Sequence, residues 1–206
     1  MPWITLSTTD EATFRSALAE LDQDNDRAAA IVGAVFVEES LTTLVSKRLN
    51  RNQKIIDELF RTSGPLGPFS TKIDMGFLLG LYSDAACNEL HTLRRIRNEF
   101  AHQHARDFTY QRIRDLANNL IVAEQTTFFT QQLDDGRLTL NVGMVPDSTR
   151  PFETILPSIT AEKLTARERY IRSCQFYSSA LLFVAMQPAP AIFPLSLFDS
   201  EASTRN

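Results

Sequence analysis

Apolar residues recur at every third or fourth position over most of the chain, which is the spacing of amphipathic helices. The longest such segment, residues 27–49, is apolar on almost every side, with Ile31, Val35, Phe36 and Leu41 spread around the helix. A helix that is apolar all round lies inside a protein, so this segment is predicted to be the central helix. Further helices are predicted over residues 9–22, 53–61, 70–82, 84–102, 109–124 and 159–186.

A different pattern follows the predicted helix 109–124. Leu138, Leu140 and Val142 alternate with polar residues, which is typical of a strand, and Asp135-Gly136 is a hairpin turn signal. The alternation predicts a small β-hairpin inserted into an otherwise helical protein.

The boundaries of the fold follow from these patterns. Residues 1–187 are predicted to form a single, mostly α domain, an up-and-down helical bundle in which about 125–157 is the β-hairpin elaboration. The segment 188–206 begins with the proline-rich stretch "PAPAIFPLSLF", which cannot continue a helix. It is predicted to be an extended or disordered C-terminal tail.

Composition places the protein in the soluble globular class. The chain has 206 residues, of which 43% are hydrophobic and 22% are charged. Cys87 and Cys174 are far apart and have no metal-binding spacing, which is typical of reduced thiols. No apolar run reaches the roughly 20 residues that a membrane span requires, and the N-terminus lacks a secretory signal pattern. The predicted location is the cytoplasm.

Charge is distributed unevenly along the chain. Residues 94–114 contain six arginines against two carboxylates, a net count of +4, although the whole chain carries −4 and the rest therefore −8. An acidic surface speaks against binding nucleic acid over the whole protein. A local basic segment can still hold one phosphate group or one strand.

Arg97 is the unusual residue of this basic segment. On a helical wheel of residues 84–102 it falls within the apolar stripe, where a charge is costly unless it is paired or lines a cleft. Glu38 and Glu39, on the central helix, are candidate partners for a bridge that fixes helix packing. The alternative is a cleft in which Arg97 meets a phosphate. Both can hold together, because a guanidinium has several donors.

Asn98 and His102 accompany Arg97 on the same predicted helix, and their i,i+4 spacing makes them neighbours. His102 could serve only to complement the helix dipole. Together, however, the three residues supply a guanidinium for a phosphate, an amide to fix geometry and an imidazole for acid–base chemistry near neutral pH. The sequence contains no carboxylate cluster, glycine-rich phosphate loop or zinc-type spacing, so neither a metal nor a cofactor is predicted.

The segment "RNEFAH" (97–102) resembles the R-N-x-x-x-H signature of the HEPN superfamily, whose members are α-helical bundles and often dimeric, metal-independent ribonucleases. A longer stretch, 27–116, resembles the mannitol operon repressor family. The features that carry this second resemblance are Arg27, Glu39, the "GPLG" turn at 64–67, Ser70, Lys72, Gly80 and the "LRRIRNEFAH" helix end.

The HEPN resemblance implies an RNA-cleaving toxin or defence effector that leaves a 2′,3′-cyclic phosphate. It implies His102 as the general acid or base, Arg97 as the residue that binds the phosphate, and Asn98 as the orienting amide. The predicted supporting residues are Glu39, Arg94, His104 and Lys72.

The repressor resemblance implies instead a non-enzymatic transcriptional regulator that acts through protein–protein contacts. Arg97 would then pair with Glu39, and His102 would cap its helix. The expected partners under the two interpretations are a second copy of the chain, RNA, and an antitoxin or regulatory protein. The second copy is expected because Arg97 and His102 lie about 140° apart around one helix and about 7.5 Å apart along it, which suits a single phosphate poorly.

Overall fold

The computed structural model describes residues 4–7, 25–49, 52–102, 107–132, 138–144 and 164–187. The described part is mostly helical and bundle-like, as predicted. Its helices are α1 (Asp26–Arg48), α2 (Gln53–Phe60), α3 (Phe69–Leu78), α4 (Asp84–His102), α5 (Gln111–Ala117), α6 (Val122–Gln125) and α7 (Ala166–Met186). Its strands are β1 (Ile4–Ser7), β2 (Thr126–Gln132) and β3 (Leu138–Met144).

Helices α1 and α7 form the centre of the fold and run parallel to each other. Near their starts, the Tyr170 hydroxyl donates to the carbonyl of Ala30 at 2.6 Å. Near their ends, Arg48 donates to the carbonyls of Val184 at 2.7 Å and Gln187 at 3.2 Å. The last carbonyls of a helix lack the regular partners of the helix interior. Arg48 gives the carbonyl of Gln187 a donor and adds a charged donor at the carbonyl of Val184, which also accepts from the Gln187 amide at 3.2 Å.

Helix α1 is central, as its sequence predicted, but it is less evenly buried than expected. Leu41 and Leu44 are fully buried, whereas Val35 is 41% exposed. By length and composition alone α1 could cross a membrane, contrary to the expectation that no apolar run is long enough. A buried core helix meets the same criterion, and α1 packs against α7, α4 and α3. The cytoplasmic location therefore stays a prediction.

Helix α4 crosses this core with its apolar stripe inward. Leu90, Leu93 and Phe100 are fully buried, as their spacing predicted. The Phe100 ring lies 4.9 Å from the Phe108 ring, which lies 5.5 Å from Tyr170 at the start of α7. These aromatic contacts place the C-terminal end of α4, with the predicted site residues, beside the start of α7.

The "GPLG" turn connects α2 to α3 and buries Leu66. A Cβ atom at Gly64 would collide with the backbone carbonyls of Glu58 and Leu59, and one at Gly67 with those of Arg61 and Thr62. The two glycines are therefore required by the close approach of the turn to the end of α2.

The single helix predicted over 109–124 is wrong. Helix α5 ends at Ala117 and α6 begins at Val122. The backbone amides of Ile121 and Val122 donate to the Glu89 carboxylate of α4 instead of continuing a helical ladder. Ile121, which lies in the break between the two helices, is 55% exposed.

The predicted start of the last helix is also wrong, since α7 begins at Ala166 and not near residue 159. Thr165 accepts a hydrogen bond from the Glu168 amide, and the Glu168 carboxylate accepts one in return from the Thr165 amide. This reciprocal capping box sets the first turn of α7.

The three described strands are antiparallel in the order β1-β3-β2. Phe128 pairs with Val142 between β2 and β3, and Leu6 pairs with Leu140 between β1 and β3. The predicted turn at Asp135-Gly136 lies outside the described residues, so the hairpin connection stays a prediction. The predicted helix 9–22 and the tail 188–206 also lie outside them.

Candidate functional site

The candidate site is built around one carboxylate that holds two cations. Glu38 on α1 has its Oε1 atom 2.8 Å from Nζ of Lys72 on α3 and its Oε2 atom 3.4 Å from Nη2 of Arg97 on α4. We call these three residues the Glu38 triad. They connect three helices of the core, so the positions of Lys72 and Arg97 are fixed relative to each other.

Exposure differs between the two cations of the triad. The Lys72 side chain is 10% exposed and the Arg97 side chain 30% exposed. Arg97 donates one hydrogen bond to Glu38, and its guanidinium carries five N–H groups. The triad holds two positive charges against one negative charge. Arg97 is therefore the member that is both held in place and accessible to an anion from solvent.

Glu39 is not the partner that was predicted for Arg97. It lies on the exposed side of α1, and its described hydrogen bond is made by its backbone carbonyl, which accepts from the Thr43 hydroxyl at 3.0 Å. Successive side chains of a helix diverge by about 100°, so only one of two adjacent glutamates can face α4. In this fold that residue is Glu38.

Arg94, Asn98 and His102 follow one another at intervals of four residues along the outer side of α4. Arg94 and Asn98 are half-buried, and His102 is exposed as the last residue of the helix. The Nε atom of Arg94 is buried and has no hydrogen-bond partner among the described residues. The structure thus brings Arg97, Asn98 and His102 to one helix end. His104, the other predicted histidine, lies outside the described residues.

Carboxylates pair with several cations of α4 and α5. Arg112 on α5 lies 3.0 Å from Glu99, a carboxylate that the count of +4 already includes, and His91, which precedes the basic segment, lies 3.0 Å from Asp74 on α3. Glu38, which lies outside residues 94–114, also pairs with Arg97 of this segment. The count of +4 therefore overstates the local positive charge.

Glu89 is a buried titratable residue that the sequence reasoning missed. Its Oε1 atom accepts hydrogen bonds from the amides of Ile121 at 2.8 Å and Val122 at 3.1 Å, and the Tyr177 hydroxyl donates to Oε2 at 3.2 Å. Burial raises the pKa of Glu89 to about 7, although the hydrogen bonds act in the opposite direction. The signal that could have found it was the one used for Arg97: Glu89 falls within the apolar stripe, one turn before Leu93.

The C-terminal end of α4 thus presents a partly exposed guanidinium at Arg97 and an exposed imidazole at its last residue, His102. Among the residues that the structure describes, no group of three or more His, Cys, Asp or Glu side chains could hold a metal ion.

Comparison of the chain with protein-family models, curated proteins and solved structures found no match.

Proposed function

We propose that the C-terminal end of α4 binds RNA and cleaves it without a metal, leaving a 2′,3′-cyclic phosphate. The observation that carries this proposal is the Glu38 triad, which holds Arg97 with its side chain 30% exposed, five residues before His102 at the end of α4. A guanidinium that is fixed by a carboxylate loses little freedom when it binds a phosphate. An effector of the toxin or defence type would use such a site.

The chemistry assigns one role to each of three side chains. His102 takes the proton of a ribose 2′-hydroxyl, whose oxygen attacks the adjacent phosphorus. The bond from phosphorus to the 5′-oxygen breaks, and that oxygen takes up the proton that His102 has removed, so no net proton is gained or lost. Arg97 stabilises the charge that develops on the non-bridging oxygens, and Asn98 orients the phosphate. These roles follow the HEPN resemblance of the "RNEFAH" segment.

We further propose that two copies of the chain complete the site. In a helix Arg97 and His102 differ by about 140° around the axis, so the two side chains of one copy approach a phosphate from different directions. A two-fold axis beside the end of α4 would place the Arg97 of one copy near the His102 of the other. Sedimentation that shows a monomer at micromolar concentration would end this part of the proposal.

The test is incubation of the purified protein with mixed RNA oligonucleotides in EDTA, followed by analysis of the product ends. His102→Ala should lower the cleavage rate by about 10²-fold or more, because it removes the acid–base group. His91→Ala is the matched control, since His91 lies on the same helix and is paired with Asp74. Equal rates for the His102 variant and the wild type would refute the proposed mechanism.

The second candidate is a non-enzymatic regulator that acts through protein contacts. The Glu38 triad also supports it, because the triad joins α1, α3 and α4 and so gives Arg97 a structural role without any substrate. RNA that is neither bound nor cut, together with a loss of stability in Arg97→Ala, would favour this candidate over the nuclease.

A further inference from the structure

Glu89 is a buried carboxyl group at the junction of three elements. It lies on α4 and is 9% exposed. It receives the amides of Ile121 and Val122, which precede and begin α6, and the hydroxyl of Tyr177 on α7. Helix α6 leads directly into β2. The Glu89 carboxyl group therefore binds the segment that connects the helices to the sheet.

The groups that face Glu89 are polar but uncharged near neutral pH. From α7 the facing group is the Tyr177 phenol. Burial raises the pKa of that phenol well above its usual range, and the neighbouring Glu89 and Tyr82 raise it further. From the α6 side the facing groups are the two backbone amides. Among the described residues, no lysine, arginine or histidine side chain lies within ion-pair distance of Glu89.

The hydrogen-bond geometry suits both protonation states of the carboxyl group. When Glu89 is protonated, Oε1 accepts both amides and Oε2–H donates to the Tyr177 oxygen. When it is ionised, the Tyr177 hydroxyl donates to Oε2 instead. What changes is the charge, which has no cationic partner within reach and is therefore costly in a buried position.

We propose that the Glu89 carboxyl group is a proton-dependent latch, one that holds residues 121–125 on α4 and α7 and releases them as the solution becomes alkaline. Release would free the connection to β2 while the rest of the core stays folded. This inference is independent of the proposed nuclease function, because it concerns other residues and can be tested without RNA.

The difference in the pKa of Glu89 between the docked and undocked states gives the size and direction of the pH effect on docking. Burial raises the pKa of Glu89 from 4.5 to about 7 in the docked state, and an undocked carboxyl group in water returns to 4.5. The docked state therefore binds the proton more tightly, so docking is strongest below pH 4.5 and weakens as the pH rises towards 7. The opening constant of this segment should rise about tenfold per pH unit in that window, about 20-fold from pH 5.5 to 7.5, and stay constant above it.

The experiment is NMR-detected hydrogen exchange of the Ile121 and Val122 amides in the full chain. Rates measured from pH 5.5 to 8.5 are divided by the intrinsic exchange rate at each pH. Core amides of α1, read in the same sample, report global unfolding. We expect the opening constants of Ile121 and Val122 to rise about 20-fold between pH 5.5 and 7.5 and to exceed those of α1 at every pH. Global unfolding also releases Glu89, so the α1 amides carry the same pH dependence from this residue and differ in the size of the opening constant.

Glu89→Gln is the decisive variant. Its Oε1 atom can still accept both amides, but the side chain cannot ionise, so the opening constant should not depend on pH. Glu58→Gln, the same substitution at an exposed position of α2, should keep the wild-type pH dependence. An unchanged slope in Glu89→Gln, or opening constants of Ile121 and Val122 equal to those of the α1 core amides, would overturn the latch.

If Glu89→Gln does not fold, a titration of Glu89 in the wild type tests the proposal instead. The carboxyl carbon of Glu89 in the wild type, followed by ¹³C NMR, should titrate near pH 7. The Tyr177→Phe variant should keep the pH dependence of exchange, because both amides still bind the carboxyl group. A Glu89 carboxyl that titrates near pH 4.5 would overturn the proposal.

Discussion

Removal of the Glu38 carboxylate tests the centre of the candidate site. Glu38→Ala leaves Lys72, whose side chain is 10% exposed, and Arg97, whose side chain is 30% exposed, without their shared partner. At an effective dielectric constant of about 20, the Coulomb attraction is roughly 6 kcal/mol for the 2.8 Å pair and roughly 5 kcal/mol for the 3.4 Å pair. These are gross values, since the charges lose hydration when they are buried.

The net effect is smaller because all three side chains keep some contact with water. Breaking a fully buried ion pair costs about 3–5 kcal/mol, so we expect Glu38→Ala to lower the free energy of unfolding by about 2–4 kcal/mol. The measurement is urea denaturation at pH 7 followed by circular dichroism. Glu39→Ala is the matched control: the neighbouring glutamate is exposed, and its loss should change stability by less than about 0.5 kcal/mol.

A double-mutant cycle separates the contribution of Lys72. Lys72→Met removes one cation but leaves Glu38 paired with Arg97, so it should be less destabilising than Glu38→Ala. In the Lys72→Met background, Glu38→Ala should cost at least about 1 kcal/mol less than in the wild type. A Glu39→Ala variant as destabilised as Glu38→Ala, or a loss below about 1 kcal/mol for Glu38→Ala, would refute the triad.

Two further predictions concern other parts of the molecule, and a third returns to Arg97. Arg48→Met should lower the unfolding free energy by about 1–3 kcal/mol in urea denaturation, because two carbonyls at the end of α7 lose a charged donor. Gly67→Ala should destabilise the protein by at least about 1 kcal/mol in the same assay, because its Cβ would meet backbone carbonyls at the end of α2. Arg97→Lys should bind RNA oligonucleotides more weakly than the wild type in fluorescence anisotropy, while Arg95→Lys, at an exposed position, should bind them as the wild type does.

The sequence predicted the helices whose apolar stripe is clear. Helix α4 matches its predicted range, 84–102, because Leu90, Leu93 and Phe100 specify one buried face. The same periodicity identified Arg97 as a charge that needed a partner. It could not choose between Glu38 and Glu39, because that choice depends on the rotation of α1 against α4, which tertiary packing decides.

The failures have tertiary causes as well. The local pattern over 109–124 favours one helix, and the break at residues 118–121 arises because Glu89, more than twenty residues earlier, takes the amides that would continue it. Likewise, the pairing of β1 with β3 joins residues more than one hundred positions apart. A local period carries no information about such contacts.

The composition of the Glu38 triad bears on the choice between the two candidate functions. A network that only fixed helix packing would need one cation for one carboxylate, and apolar residues of similar volume often stabilise a core at least as well. Lys72 already provides the close, well-buried partner of Glu38 at 2.8 Å. Arg97 adds a second positive charge at 3.4 Å in a more exposed position, where it contributes less to stability. An anionic ligand would balance that second charge, and a phosphate group would match the planar donors of a guanidinium. The extra charge thus favours phosphate binding at Arg97 over a purely structural role, and the comparison of Arg97→Lys with Arg95→Lys tests that preference directly.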